Sequence, residues 1–255
     1  MIGIIGAIPE EVNEIIAEMQ VSETRIIGDR KYYIGKLENV ACVLVFSRIG
    51  KVAAAITTTT LIQEFKISKL IFTGVAGGIH KDIKVGDVVL ATHLAQHDFD
   101  VFPLYPKNEI PLINKKFFTT DSDLNQTATN EISTFLESKN IHDYISEDDL
   151  NEFKIQTPNL HQGLIVSGDQ FIYHKEQVSK ILNDFPETLC AEMEGAAVAQ
   201  VCYEYQIPFT VIRTISDNAN ETATIDFKRF IEKISNKYGL WIVKHLLHKI
   251  QTQSN

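Results

Sequence analysis

The sequence predicts an α/β protein whose sheet is covered by helices on both faces. Short apolar runs alternate with segments of helical spacing, and most of the runs end in polar or glycine-rich residues. Strands buried on both faces read as continuous apolar stretches, and intervening helices supply the crossovers that parallel pairing requires.

Taken in order, residues 2–5 form a first buried strand. Pro9, Glu10 and Glu11 open a helix in which Val12, Ile15, Ile16 and Met19 recur at helical spacing. Strands follow over 31–34 and 40–47, and then a helix of small residues and Thr over 51–65. Another buried strand, 70–72, runs into the expected glycine loop Thr73-Gly-Val-Ala-Gly-Gly78. Gly86-Asp87 makes a turn before a strand at 88–94. Residues 103–111 carry three prolines and read as an irregular loop. A helix is expected over 123–138. Within 141–162, the acidic run 146–152 reads as a solvated surface excursion. Strands at 164–166 and 209–212 complete the sheet, and 227–250 is largely helical, with Ile231, Ile234, Leu240, Val243 and Leu246 available to bury. With no internal repeat or low-complexity tract, 1–255 reads as one domain.

Composition narrows the partners. The 255-residue chain carries a net charge of −9, which disfavours nucleic acid. Cys42, Cys190 and Cys202 lie in apolar surroundings without metal-ligand spacing, as do the histidines, so reduced thiols and no metal are expected. The start lacks a basic signal-peptide region, and no apolar run reaches the roughly 20 residues of a membrane span. A cytoplasmic protein with no membrane association follows as the expectation.

Ligands of open α/β sheets gather beyond the carboxyl ends of the strands. Four polar segments take such positions: Gly6-Ala-Ile-Pro-Glu10-Glu11, the glycine stretch at 73–78, Ser167-Gly-Asp169-Gln-Phe171-Ile172, and Arg213-Thr-Ile-Ser216-Asp217-Asn218. The tripeptide Glu192-Met193-Glu194 precedes the small-residue run Gly195–Ala199, where a helix begins. A helix start holds a carboxylate ionised and oriented, and flanking carboxylates with a thioether suit a polyhydroxyl ligand with an apolar face. Each feature alone has a plainer reading. Glu10 and Glu11 suit any helix N-terminus, a strand-end Asp is commonly a cap, and Phe171 or Phe227 could be core aromatics. Gly3-Ile-Ile-Gly6 lacks the full dinucleotide fingerprint.

Together, in this order and spacing, these segments resemble the purine nucleoside phosphorylase and nucleosidase superfamily, and within it the 5′-methylthioadenosine/S-adenosylhomocysteine nucleosidases. The motifs are Ile2-Gly-Ile-Ile-Gly-Ala7 with Glu10-Glu11, Ile49-Gly-Lys-Val-Ala-Ala54, Thr73–Gly78, Lys84-Val-Gly-Asp87, Gly163–Asp169, Glu192–Glu194 and Arg213–Asp217. The resemblance implies a three-layer α/β/α sandwich on a mixed sheet. It implies hydrolysis of the N-glycosidic bond between adenine and a 5′-thio-substituted ribose, without a cofactor. Such chemistry must improve the leaving group and stabilise an oxocarbenium-like sugar.

The resemblance also implies roles. Asp217 is the general acid at adenine N7, with Ser216 and Arg213 positioning it. Keeping an Asp protonated near pH 7 requires roughly 4 kcal/mol of environmental bias. Glu11 orients and deprotonates the attacking water, and Glu194 grips the ribose hydroxyls. Glu192 adds sugar contacts and Met193 packs on the sugar. The Ile172 backbone reads the adenine edge, Phe171 stacks on the base, and Phe227 lines the 5′ pocket. Ile49, Val75, Ala76 and Gly77 complete the substrate wall. In the family, the segment matching 98–106 comes from a second subunit, which implies a homodimer with Val101, Phe102 or Leu104 over the partner's thioalkyl group.

Phosphate as the nucleophile needs fixed donors and positive charge. Phosphorylases of this kind carry Arg in the first loop and before the glycine stretch, whereas this chain has Glu10-Glu11 and Phe72-Thr73. Val75 replaces the hydroxyl residue of many relatives, and Arg48 is the one dissenting cation. Hydrolysis is therefore expected. A phosphorylase and a non-catalytic nucleoside binder are the alternatives.

Overall fold

The computed structural model describes residues 1–220 and 223–253. The apolar runs become strands of one mixed sheet. At its centre β1 (Ile2–Gly6), every residue of it buried, lies parallel to β4 (Val40–Phe46) and to β5 (Lys69–Gly78). Beyond β4 the sheet continues antiparallel through β3 (Arg30–Leu37) to the exposed edge strand β2 (Gln20–Ile27).

On its other side, β5 pairs in parallel with β10 (Phe209–Asp217). From there β6 (Val88–Gln96), β8 (Leu160–Ser167) and β9 (Thr188–Glu192) follow, and β9 returns to β5 at Gly77 and Gly78. The five strands β5, β10, β6, β8 and β9 thus close a ring. A short strand, β7 (Phe118–Thr119), borders β6.

Helices cover both faces, as the sequence predicts. On one face α1 (Pro9–Glu18) and α3 (Ser122–Leu136) pack on the C-terminal α9 (Asn236–Gln253). Ile15, Phe135, Tyr238 and Trp241 belong to the core there. On the other face α2 (Lys51–Phe65) packs on α7 (Gly195–Tyr205), whose small residues are buried and allow close approach. The helix α8 (Ala223–Phe230) passes into α9 through a π-helical turn, Ile231–Ser235. Cys42, Cys190 and Cys202 are free and fully buried. Among the described residues no helix is long and apolar enough to cross a membrane.

Two expectations need correction. The glycine stretch 73–78 is not a loop but the second half of β5. Glycine permits extended backbone where neighbouring side chains crowd in: a Cβ at Gly74 would meet Glu11 Oε1 at 2.6 Å and Arg213 Nη1 at 2.9 Å. The excursion is also not merely solvated. It forms α4 (Ser138–Tyr144) and α5 (Glu147–Glu152), which deliver Ile141, Ile145, Leu150 and Ile155 to the core. Its acids do face outward, where Asp149 and Glu152 pair with Lys233 and Glu152 with Arg229. The remaining helix, α6 (Lys175–Asp184), buries Ile181 beside the carboxyl end of β8.

Candidate active site

The carboxyl ends of β1, β5, β9 and β10, with the loop after β8, surround a cleft of about 140 Å³. Its walls include Glu11, Glu192, Met193, Glu194, Ser216 and Asp217. Ile49, Val75, Ala76, Gly77, Phe171, Ile172 and Phe227 complete the sequence-derived set. Ala7, Ile8, Gln170 and Ala191 line it too. Sequence reasoning assigned these four no role, although Ala7, Ile8 and Gln170 lie inside its motifs and Ala191 adjoins Glu192. Two groups stand apart. Arg213 lies beneath the cleft, 1% exposed, and Val101, Phe102 and Leu104 do not line it, the latter two being 72% and 83% exposed.

Glu11 reaches the floor because Pro9 starts α1 directly after β1 and places Glu11 in its first turn. Its Oε2 accepts the N–H groups of Ala7 at 2.6 Å and Ile8 at 3.2 Å, and its Oε1 accepts that of Val75 at 3.0 Å. Burial pushes the Glu11 carboxyl above its usual range, with Arg213 and the three N–H groups pulling the other way.

Asp217 ends β10, where the register against β5 slips between Ile215 and Asp217. Such an irregularity re-aims a side chain, and here the carboxyl points at Gly77, where a Cβ would stand 3.0 Å from Oδ1. Ser216 Oγ donates to Asp217 Oδ2 at 2.8 Å, and the Ala219 N–H donates to Oδ1 at 2.9 Å. Burial pushes its pKa up to about 6 against these two bonds. That is a bias of about 3 kcal/mol toward the acid form, close to what a proton donor near neutrality needs.

Glu194 caps α7 and accepts the Gly50 N–H at 2.7 Å through Oε1. Burial, then the neighbouring Glu192, push its pKa to about 8, opposed by Arg213 and the Gly50 N–H. Glu192 has a different office. Its carboxylate takes Arg213 Nη2 at 2.5 Å, the Ser167 hydroxyl, and the Gly195 N–H at 2.8 Å. The expectation that Arg213 positions Asp217 is thereby corrected: Arg213 is paired with Glu192 and stacked 3.9 Å over the Phe72 ring. Its Nη1 has no hydrogen-bond partner, and with Glu11 Oε1 it flanks the space left open by the missing side chain of Gly74. Arg48, the dissenting cation, pairs with Asp29 at 2.7 Å and does not line the cleft. Among the described residues no cluster of three or more His, Cys, Asp or Glu could hold a metal.

A mixed α/β sheet with helices on both faces thus brings three buried carboxyl groups around one apolar cleft. The sequence model of the phosphorylase superfamily matches residues 1–247, and the chain belongs to that family. Within it, the chain is 34% identical to the 5′-methylthioadenosine/S-adenosylhomocysteine nucleosidase of Shewanella loihica, over 97% of this chain and 99% of the relative. It is 36% identical to the aminodeoxyfutalosine nucleosidase of Helicobacter pylori J99, over 91% and 92%. The solved nucleosidase of Neisseria meningitidis, in complex with methylthio-immucillin-A, superimposes with a TM-score of 0.85 at 34% identity, over 97% and 98%.

Proposed function

We propose that the protein hydrolyses the N-glycosidic bond of 5′-methylthioadenosine and S-adenosylhomocysteine, releasing adenine and the 5-thio-substituted ribose. The observation that carries this is the meeting of Glu11, Glu194 and Asp217 in one cleft whose lining, among the described residues, includes no Lys or Arg. In that lining phosphate meets no cation to hold it, and Glu11 and Glu194, once ionised, stabilise a sugar that turns cationic, so water is the nucleophile. Similarity to nucleosidases over nearly the whole chain supports the same reading.

Asp217 donates a proton to adenine N7, held by Ser216. Glu11 orients and deprotonates the water, with the spare Nη1 of Arg213 within reach of the same space. Glu194 binds the ribose hydroxyls, and Glu192 fixes Arg213 below. Met193 and Ile49 cover the sugar, Phe171 and Ile172 hold the base, Phe227 walls the 5′ substituent, and Val75, Ala76 and Gly77 form the floor. The chain acts as one domain over 1–255 and as a homodimer, in which the half-buried Val101 and the exposed Phe102 and Leu104 cover the partner's thioalkyl pocket. Three buried free thiols fit a reducing, cytoplasmic setting.

The test is incubation with 5′-methylthioadenosine in phosphate-free buffer. Free adenine and methylthioribose are expected, from a preparation that sediments as a dimer. A requirement for phosphate, with a sugar 1-phosphate as product, would make it a phosphorylase. Binding without turnover would make it a nucleoside-binding protein, and a fully active monomer would remove the shared pocket.

A further inference from the structure

Behind the cleft, outside the residues assigned above, three side chains and two backbone N–H groups close a ring. Lys51 Nζ donates to Asp98 Oδ1 at 2.6 Å and to Gln96 Oε1 at 3.1 Å. Asp98 Oδ2 accepts the Asp169 N–H at 2.8 Å, and Asp169 Oδ1 accepts the Lys51 N–H at 2.8 Å. Lys51 thus gives both its side-chain and its backbone donors to carboxylates on the loops after β6 and β8. The pair is sheltered, each side chain being 16% exposed.

Both ends of this ring adjoin residues that line the cleft, Ile49 on one side and Gln170 on the other. Gly50, adjoining Lys51, donates its N–H to Glu194. Asp169 begins the turn that carries Phe171 and Ile172. Gly50 has φ +98°, and a Cβ there would stand 3.1 Å from Asp169 Oδ1, so the chain enters α2 through a conformation that favours glycine. Burial alone would raise the Asp98 pKa, but the Lys51 ammonium and the Asp169 N–H outweigh it and hold the carboxylate below its usual range. The Lys51–Asp98 pair is partly buried, and a charge-assisted bond there keeps its geometry better than a fully exposed ion pair does.

We propose that Lys51 and Asp98 are positioning residues that fix the distance between the base-holding loop, 169–172, and the sugar-holding Glu194. The inference rests on the nucleoside reading given above. A ligand gripped at two ends gains from both grips only if their separation is preset, and a shift of about 1 Å can remove most of that gain. Cutting the brace leaves each grip intact and spoils their register. A nucleoside, which spans both, loses affinity. Adenine alone, which meets the base loop and Asp217 but not Glu194, does not.

The experiment compares two probes on wild type, Lys51→Met, Asp98→Asn and Lys51→Arg: 5′-methylthioadenosine in steady-state turnover, and adenine by calorimetry. Lys51→Met should raise KM for the nucleoside about tenfold with kcat changed less, while adenine affinity stays within about twofold. Lys51→Arg should recover most of the loss. Asp98→Asn should show the same split, and it reads the proposal by itself if the Met variant does not fold. Nucleoside and adenine weakened by one common factor would mean a damaged loop rather than a lost spacing, and would overturn the proposal, as would an unchanged KM. A wild-type protein that binds adenine but releases none from the nucleoside would count instead against the functional reading.

Discussion

At the floor of the cleft, Glu11, Glu194 and Asp217 are no more than 5% exposed, and each accepts at least one backbone N–H. On the outer wall, Ile49 and Phe171 are 58% and 37% exposed, and Phe171 meets Phe227 edge to face at 5.9 Å. The floor is held by the sheet before any ligand arrives, whereas the wall completes its burial only around one. Preorganised groups act on the transition state and so set kcat, while apolar surface buried on binding acts on KM.

The strongest break in that division would come from the floor. Asp217→Asn keeps the shape and removes the proton, so kcat should fall about 1,000-fold or more, and Glu11→Gln about 100-fold with nucleoside affinity retained. Either variant within tenfold of wild type, with an unchanged circular dichroism spectrum, would take the chemistry away from these residues.

A smaller effect should come from the wall. Phe227→Ala should raise KM about tenfold while kcat moves less than about threefold, the loss expected from a half-buried aromatic ring. A fall confined to kcat would show that the wall also positions the reacting atoms.

The mildest change sharpens the acid itself. The active form of Asp217 is protonated, so kcat/KM should fall as pH rises through about 6. The Ser216 hydroxyl stabilises the charged form, and Ser216→Ala should therefore move this limb upward by about one unit. An unmoved limb, read from a full pH profile, would assign the proton to another group.

The floor was legible in the sequence because strand-end segments keep their order, and Glu11, Glu194 and Asp217 each adjoin a recognisable apolar or small-residue run. Pairing was not. Arg213 sits in the same motif as Asp217, four residues before it and on the same face by simple alternation, yet it pairs with Glu192, and the register slip between Ile215 and Asp217 is decided only in the fold. The glycines at 73–78 look like turn residues in one dimension and serve as clearance for Glu11 and Arg213 in three. Strand β9 was not set apart from the apolar stretch leading to Glu192, and the exposed β2 has no apolar pattern to announce it. In the excursion the apolar residues 141, 145, 150 and 155 carry a signal at broken helical spacing, drowned by acids on the outer side. The Lys51–Asp98 brace joins residues 47 apart through side chains alone, and no local pattern encodes it.

Strand β5 acts as a ruler. It anchors Glu11 at the Val75 N–H and faces Asp217 at Gly77, two residues further on, a rise of about 6.6 Å. Because one continuous strand carries both contacts, movement of the surrounding loops leaves their interval along β5 unchanged.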